Sequence, residues 1–156
     1  MRLYQFNREQ ILPISVAEAW DFFSRPSNLE AITPPELGFE SVYQSHESLV
    51  PGMLIVHRIQ LAPLIKINWI SEIRYLEEQH SFVDEQRSGP YAFWQHRHSF
   101  EEHPDGTLMR DEVNYALPMG IFGAWAEPLI VRPQLRKIFK FRFDTIENYF
   151  KGRKAS

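Results

Sequence analysis

Two histidines and one aspartate stand where they could do chemistry. His96 and His98 are two residues apart in an alternating run, and Asp111 follows beyond a turn. Alternate side chains of a strand project from one face, so the two imidazoles would lie about 6–7 Å apart. The three groups could ligate a divalent metal, or act as a general base with its orienting partner, as carbonyl condensation or dehydration needs. Imidazole pairs on strands usually just hydrogen-bond in place, and this neighbourhood is aromatic, so we predict no metal and no cofactor.

A β-hairpin must position these groups. Two runs of alternating character flank the turn at 103–106, where Pro and Gly supply the backbone angles of a reversal. Because the side chains of a strand alternate between its two faces, four residues of the first strand share one face: Trp94, His96, His98 and Phe100. If the two apolar faces coincide, His98 lies nearly opposite Asp111, and Trp94 lies opposite Tyr115. Buried polar groups without partners cost a few kcal/mol each, so these must be paired, hydrated or in contact with a ligand.

A long amphipathic helix is predicted beyond Pro128 and Pro133, ending at about residue 150. Its apolar stripe consists of Leu135, Ile138, Phe139, Phe143, Ile146 and Phe150. Arg142 falls inside this stripe, where a guanidinium must find a carboxylate, a phosphate-like group or a carbonyl. On the sheet side, Asp84 and Gln86 share the inward face of Phe82 if their strand alternates simply.

Two interpretations of these polar groups stay open. In the first, Asp84, Asp111, His96, His98 and Arg142 form a self-satisfied salt-bridge cluster with Arg142 held by an Asp, which we prefer to catalysis. In the second, they form the polar floor of an aromatic cavity and orient a carboxylate, carbonyl or hydroxyl of an otherwise apolar ligand.

The amino-acid composition excludes several kinds of catalytic and metal site. A chain of 156 residues predicts one domain with a real core. It contains no cysteine, which excludes disulfides, thiolate catalysis and cysteine-based zinc sites. No serine occupies a nucleophile-elbow pattern. Residues 127–156 hold eight Lys or Arg against three acids, which we interpret as a solvated helix face rather than a nucleic-acid site.

The remaining pattern predicts the elements around the hairpin. Residues 2–12 form a strand, Ser15–Glu18 is a capping box that starts a short helix, and Ser27–Glu30 repeats that device. Further strands are predicted at 39–44, 53–61, 64–75 and 82–87, joined as an antiparallel meander. The apolar segment 117–125 is predicted to be a loop with Gly120 and Gly123 as hinges. Its large side chains could pack on the cavity mouth, form a gate that opens to admit a ligand, or form a patch that meets a partner or a membrane surface. No signal sequence or run of about 20 apolar residues is visible, so a cytoplasmic location is the default.

The motifs are more specific than the order of elements. They are Phe82-x-Asp84-x-Gln86, Gly89-Pro90-Tyr91, Trp94-x-His96-x-His98-x-Phe100, Gly106-Thr107-x-Met109-x-Asp111-x-Val113-x-Tyr115, Pro118-x-Gly120 and Phe139-x-Phe141-Arg142. Over essentially its whole length the chain resembles the START-like, birch-pollen-allergen-like superfamily known as SRPBCC, which includes polyketide cyclases. Within it, the motifs resemble a bacterial subgroup of small stand-alone proteins sometimes labelled cell-division inhibitors. The resemblance implies an α+β helix-grip fold: a curved antiparallel sheet of about seven strands around a long C-terminal helix, two short helices after the first strand, and a cavity between sheet and helix.

Three functional hypotheses follow for this single domain, residues 1–156. The first is a carrier or sensor that binds a small hydrophobic or amphipathic molecule, without binding nucleic acid or inserting stably into a membrane. The second is a cyclase or dehydratase that uses His96, His98 and Asp111. The third is a protein-interaction or regulatory module that acts through the 117–125 segment and the basic C-terminus. The predicted ligand-binding residues are Trp69, Asp84, Gln86, Trp94, His96, His98, Asp111, Tyr115, Phe122, Phe139 and Arg142.

Overall fold

The computed structural model describes residues 1–62 and 64–154, apart from the side chains of residues 61, 62, 121, 122, 124, 153 and 154. The strands, in chain order, are Tyr4–Leu12 (β1), Glu40–Gln44 (β2), Leu54–Ala62 (β3), Ile65–Glu77 (β4), Ser81–Ser88 (β5), Phe93–His103 (β6) and Gly106–Ala116 (β7). The helices are Val16–Phe23 (α1), Asn28–Ala31 (α2), Ile121–Ala126 (α3) and Arg132–Lys154 (α4), with a 3₁₀ helix at Pro35–Leu37 and a π-helical segment at Glu127–Val131. The predicted α+β architecture is confirmed.

The strands form one antiparallel sheet in the order β1-β7-β6-β5-β4-β3-β2. Neighbours in space are neighbours in sequence except at one edge, where β1 pairs with β7. The β6–β7 hairpin turns between His103 and Gly106, and its register pairs His98 with Asp111. This is the predicted register, and it follows from the alternation of both strands and the geometry of the turn.

The start of α1 is fixed as the sequence predicts. Ser15 and Glu18 form a reciprocal capping box, in which the Glu18 amide donates to Ser15 Oγ and the Ser15 amide donates to Glu18 Oε2. The predicted repeat of this device at α2 is wrong. Ser27 has helical backbone angles and makes no side-chain cap, whereas a capping residue needs an extended backbone to reach the free amides.

The predicted loop at 117–125 is also partly wrong. Residues from Ile121 onward are helical, and α3 runs through the π-helical segment into α4. Gly123 weakens the helix signal in the sequence, but the fold requires it, because a Cβ there would lie 2.4 Å from the carbonyl oxygen of Pro118. Close packing, rather than hinge freedom, therefore explains this glycine.

The core divides into two clusters of buried side chains with a polar belt between them. On β6, Trp94 belongs to one cluster and Phe100 to the other, and the two histidines lie between. On α4, Phe139 and Ile146 belong to the two clusters in the same way, and Arg142 lies between. No helix in the described part of the chain has the length and apolar character needed to cross a bilayer.

Candidate functional site

A cavity of about 320 Å³ lies at the level of this polar belt. Trp69 and Trp94 of the sheet and Tyr91 of the β5–β6 turn form an aromatic wall, and α4 contributes Leu135 and Phe139. Trp94 contacts Trp69 edge to face at a centroid distance of 5.1 Å, and Tyr91 lies 4.7 Å from Trp94. These contacts hold the aromatic wall in one arrangement.

The floor of the cavity consists of the Asp84 carboxylate and the two imidazoles, and the Asp111 carboxylate lies directly behind it. His96 Nε2 donates to Asp111 Oδ1 at 2.8 Å, and His98 Nδ1 lies 2.9 Å from the same oxygen without hydrogen-bond geometry. The other nitrogens face Asp84, whose Oδ2 is 3.5 Å from His98 Nε2 and 3.8 Å from His96 Nδ1. Each imidazole therefore spans the gap between one carboxylate on β5 and another on β7.

These contacts set the charges of the floor. Burial favours the neutral carboxyl of Asp111, but its contacts with His96 and His98 outweigh burial and hold the pKa of Asp111 well below its usual range. The pKa of Asp84 is lowered in the same way, with its contact with His98 as the largest effect opposing burial.

The two imidazoles have opposite pKa shifts. Burial, together with the charge of His98, lowers the pKa of His96, so His96 is neutral near pH 7. Burial also acts to lower the pKa of His98, but Asp111 and Asp84 outweigh it and the net shift is upward. Two imidazoles whose pKa values are shifted in opposite directions therefore stand side by side, with ring centroids 3.8 Å apart.

Arg142 enters the cavity from α4. Its side chain is buried, and its Nε has no hydrogen-bond partner among the described residues. The guanidinium carbon lies 5.0 Å from the ring centre of Phe139. Burial lowers the pKa of Arg142, although the charges of Asp111 and Asp84 oppose the shift. The Arg–Asp salt bridge expected from the sequence is not formed, because no carboxylate in the described part of the chain lies within 4.0 Å of this guanidinium.

The predicted site residues divide into three groups. Those that line the cavity are Trp69, Asp84, Trp94, His96, His98, Phe139 and Arg142. Asp111 and Tyr115 lie behind the lining, and Gln86 is directed elsewhere. The side chain of Phe122 lies outside the described residues.

Gln86 and Tyr115, which do not line the cavity, form hydrogen bonds that hold parts of the fold together. The amide of Gln86 bonds the backbone of Tyr91 in both directions, which closes the turn between β5 and β6. The hydroxyl of Tyr115 donates to Glu127 Oε1 at 2.6 Å, and Arg132 Nε donates to the same oxygen at 2.8 Å. These bonds, with Tyr115 and Glu127 buried and Arg132 partly exposed, tie the sheet to the π-helical segment that precedes α4.

The segment before α4 also exposes apolar surface. Met119 and Trp125 are 73% and 70% exposed, and Leu129 and Ile130 are exposed as well. This surface is compatible with the interaction hypothesis, which stays a prediction.

Comparison with known proteins agrees with this architecture. No protein-family model and no curated protein sequence matches the chain. Among solved structures, norcoclaurine synthase of Thalictrum flavum aligns over 98% of this chain and 97% of its own, with a TM-score of 0.69 and 14% identity. Ara h 8.0201 aligns over 97% of this chain and 99% of its own, with a TM-score of 0.66 and 12% identity. The chain has the helix-grip fold. The di-domain ARO/CYC protein StfQ of the steffimycin biosynthetic pathway shares it, with a TM-score of 0.72 and 11% identity over 99% of this chain and 52% of that one.

At such identities the likeness concerns the helix-grip fold alone. The predicted resemblance to the START-like superfamily is confirmed at that level, and the narrower subgroup stays a prediction.

The helix-grip fold also brings His57 to the cavity, a titratable residue that the sequence analysis missed. His57 on β3 is buried, and burial lowers its pKa to about 4 against the opposing charge of Asp84. It alternates with Ile55 and Ile59, and all three line the cavity. The alternation of this strand contained the signal, but a lone histidine between isoleucines has no partner in the sequence that would distinguish it.

Proposed function

We propose that this single domain binds a small amphipathic molecule between the sheet and α4. The apolar body of the ligand lies against the aromatic wall, and its carboxylate or other acidic head contacts Arg142. The cavity volume of about 320 Å³ falls within the range of about 300–1,000 Å³ typical of small-molecule sites. A cytoplasmic location belongs to this proposal.

The observation that carries the proposal is the unpaired guanidinium. A buried charge without a partner is costly, and proteins normally pair it or expose it. Only 9% of the surface of Arg142 is exposed, and its Nε has no hydrogen-bond partner among the described residues. A ligand anion would supply charge-assisted hydrogen bonds, each worth about 1.5–3 kcal/mol.

The neighbouring acids support the same assignment. Asp84 and Asp111 are both held by His98, and Asp111 also accepts from His96. Because imidazoles already partner these carboxylates, Arg142 is left to face the open space. A self-contained cluster would have used one of them for the guanidinium.

Two fluorescent probes with the same ring system test this. 8-Anilinonaphthalene-1-sulfonate carries an anionic head, whereas N-phenyl-1-naphthylamine has none. We expect the wild-type protein to bind the sulfonate more tightly, and Arg142→Met to weaken sulfonate binding about 10–100-fold with little effect on the neutral probe. Arg136→Met is the matched control, because Arg136 is exposed on the same helix. The anion contact would be refuted if Arg142→Met weakened the binding of both probes equally, or if its preference for the sulfonate were that of the wild type.

A second candidate is acid–base catalysis of the cyclase or dehydratase type, and one observation favours it. His96 is neutral, it is oriented by its Nε2–H bond to Asp111, and it lines the cavity. A neutral imidazole held by a carboxylate is the arrangement of a general base. The structure thereby favours His96 over His98 as the base, because the raised pKa of His98 suits a proton donor. The ARO/CYC protein and the synthase that share the fold are compatible with such chemistry.

Proton exchange on an apolar ketone tests this candidate without a known substrate. We expect the wild-type protein to accelerate deuterium exchange at the α-carbons of 2-tetralone, followed by NMR. His96→Gln should reduce the rate per folded molecule at least 100-fold, while His103→Gln at the hairpin turn should not. No acceleration over buffer by the wild type would eliminate the candidate.

A further inference from the structure

We infer that Asp84, His96 and His98 form a binding site for a divalent transition metal at the floor of the cavity. One ligand atom from each of the three residues lies within 4.8 Å of the others. All three side chains line the cavity, and two come from β6 while the third comes from the adjacent strand β5. The site does not depend on the proposed amphiphile.

Ligand atoms of these kinds are typical of particular metal ions. Two imidazoles and one carboxylate on one face of a metal leave the remaining positions open, a pattern typical of non-haem Fe²⁺ and also suited to Zn²⁺ or Co²⁺. Metal–ligand bonds of about 2.1 Å place neighbouring donors roughly 3.0–3.4 Å apart. Here Asp84 Oδ2 is 3.5 Å from His98 Nε2 and 3.8 Å from His96 Nδ1. Contraction by a few tenths of an ångström would bring both imidazole–carboxylate pairs to bonding geometry, and the donor nitrogens of the two rings would have to approach to the same separation from a distance of up to 4.8 Å.

Asp111 provides the second argument. Metal-bound histidines commonly use their other ring nitrogen to contact a carboxylate, which fixes the ring and its tautomer. Asp111 Oδ1 lies 2.8 Å from His96 Nε2 and 2.9 Å from His98 Nδ1, so one buried carboxylate serves both rings. The nitrogens left over are the two that face Asp84.

This geometry changes the trio that the sequence suggested. Asp111 lies behind the histidines, away from the cavity, whereas Asp84 faces it. A metal on the Asp84 side would have its open positions directed into the cavity, where a ligand could reach them. Arg142 faces the same space, and its positive charge opposes the metal.

Titration with Co²⁺ tests the site on the full, tag-free chain after treatment with EDTA. We expect one Co²⁺ per chain by calorimetry, with visible absorption bands of a nitrogen- and oxygen-ligated ion. Asp84→Asn and His98→Gln should each weaken binding at least 100-fold, and Asp111→Asn about 10–100-fold. Arg142→Met should tighten binding, which no surface site would show. The control His103→Gln removes the exposed His103–Asp105 pair of the hairpin turn and should change nothing.

A crystallographic measurement on the wild type removes any dependence on variant folding. Crystals soaked in Co²⁺ should show an anomalous difference peak between Asp84, His96 and His98. A peak only elsewhere, no peak at a saturating concentration, or binding retained in Asp84→Asn would overturn the inference. When the probe titrations of the proposed function are run on EDTA-treated protein, either proposal can fail without the other.

Discussion

Asp111 lies opposite His98 in the β6–β7 ladder, yet its hydrogen bond comes from His96, one step away on the same face. The diagonal bond leaves His98 close enough to Asp111 for a strong charge interaction, so one carboxylate holds both imidazoles. The floor of the cavity is therefore organised by a residue that does not line it.

Removing the Asp111 carboxylate should destabilise the protein strongly. Asp111→Ala leaves His98 with one of its two carboxylate neighbours and His96 without its acceptor, and breaking a buried ion pair typically costs about 3–5 kcal/mol. Urea unfolding at pH 7 measures the loss. Asp105→Ala at the exposed turn should stay within about 0.5 kcal/mol of the wild type. A loss as small as that control would show that the carboxylate does not hold the imidazoles.

Removing the Arg142 charge should have the opposite effect on the free energy of unfolding. The pKa of Arg142 is lowered because the cost of burial exceeds its attraction to Asp111 and Asp84, so the folded state disfavours this charge. Arg142→Met keeps the length of the side chain and should stabilise the protein by roughly 1–3 kcal/mol. Chemical denaturation beside Arg136→Met gives the comparison. A clear destabilisation by Arg142→Met would mean that the guanidinium has partners in the folded state.

His57 should make the protein acid-sensitive. Its folded pKa of about 4 lies below its unfolded value of about 6.5, so the unfolded state binds the proton first as the pH falls. The contribution of neutral His57 is therefore present above pH 6.5 and is lost progressively down to about pH 4. Between pH 7 and pH 5 this amounts to roughly 2 kcal/mol.

The comparison of variants isolates this effect. His57→Gln removes the titration, so its stability should fall less between pH 7 and pH 5 than that of the wild type. His46→Gln, at an exposed histidine, should follow the wild type. Parallel pH profiles for all three proteins would contradict a buried neutral His57.

Gly123 should be intolerant of a methyl group. Gly123→Ala would place a Cβ 2.4 Å from the Pro118 carbonyl oxygen, and overpacking of this kind typically costs about 1–3 kcal/mol. Gly152 lies in α4 with open space around a built Cβ, so Gly152→Ala should be neutral or stabilising by up to about 1 kcal/mol. Thermal unfolding of both variants checks the contrast. Under the alternative, in which Gly123 is only a hinge, its variant would change ligand exchange rates but not stability.

Local rules predicted the parts of this fold that rest on neighbouring residues. The hairpin register follows from strict alternation around a Pro–Gly turn, and the capping box of α1 follows from four consecutive residues. The α4 stripe, including the position of Arg142, follows from the period of a helix.

The features that the sequence did not predict depend on distances between secondary-structure elements. The sequence places Arg142 near the acids, but only the packing of α4 against the sheet decides that no ion pair forms. Gln86 has the spacing of an inward residue, but the ladder between β5 and β6 ends at Glu85, and its amide turns to Tyr91. The helix at 121–126 was missed because the contact that requires Gly123 lies with Pro118, a residue outside the helix.

The pairing of β1 with β7 has a kinetic consequence. Register partners such as Tyr4 and Tyr115 are more than a hundred positions apart, and the helix that closes the cavity follows later still. Such distant pairing makes folding slow, because a large loop must close before the contact is gained. During synthesis β1 has no β7 partner until residues 106–116 have left the ribosome, so its aromatic side chains stay exposed to aggregation or chaperones until then.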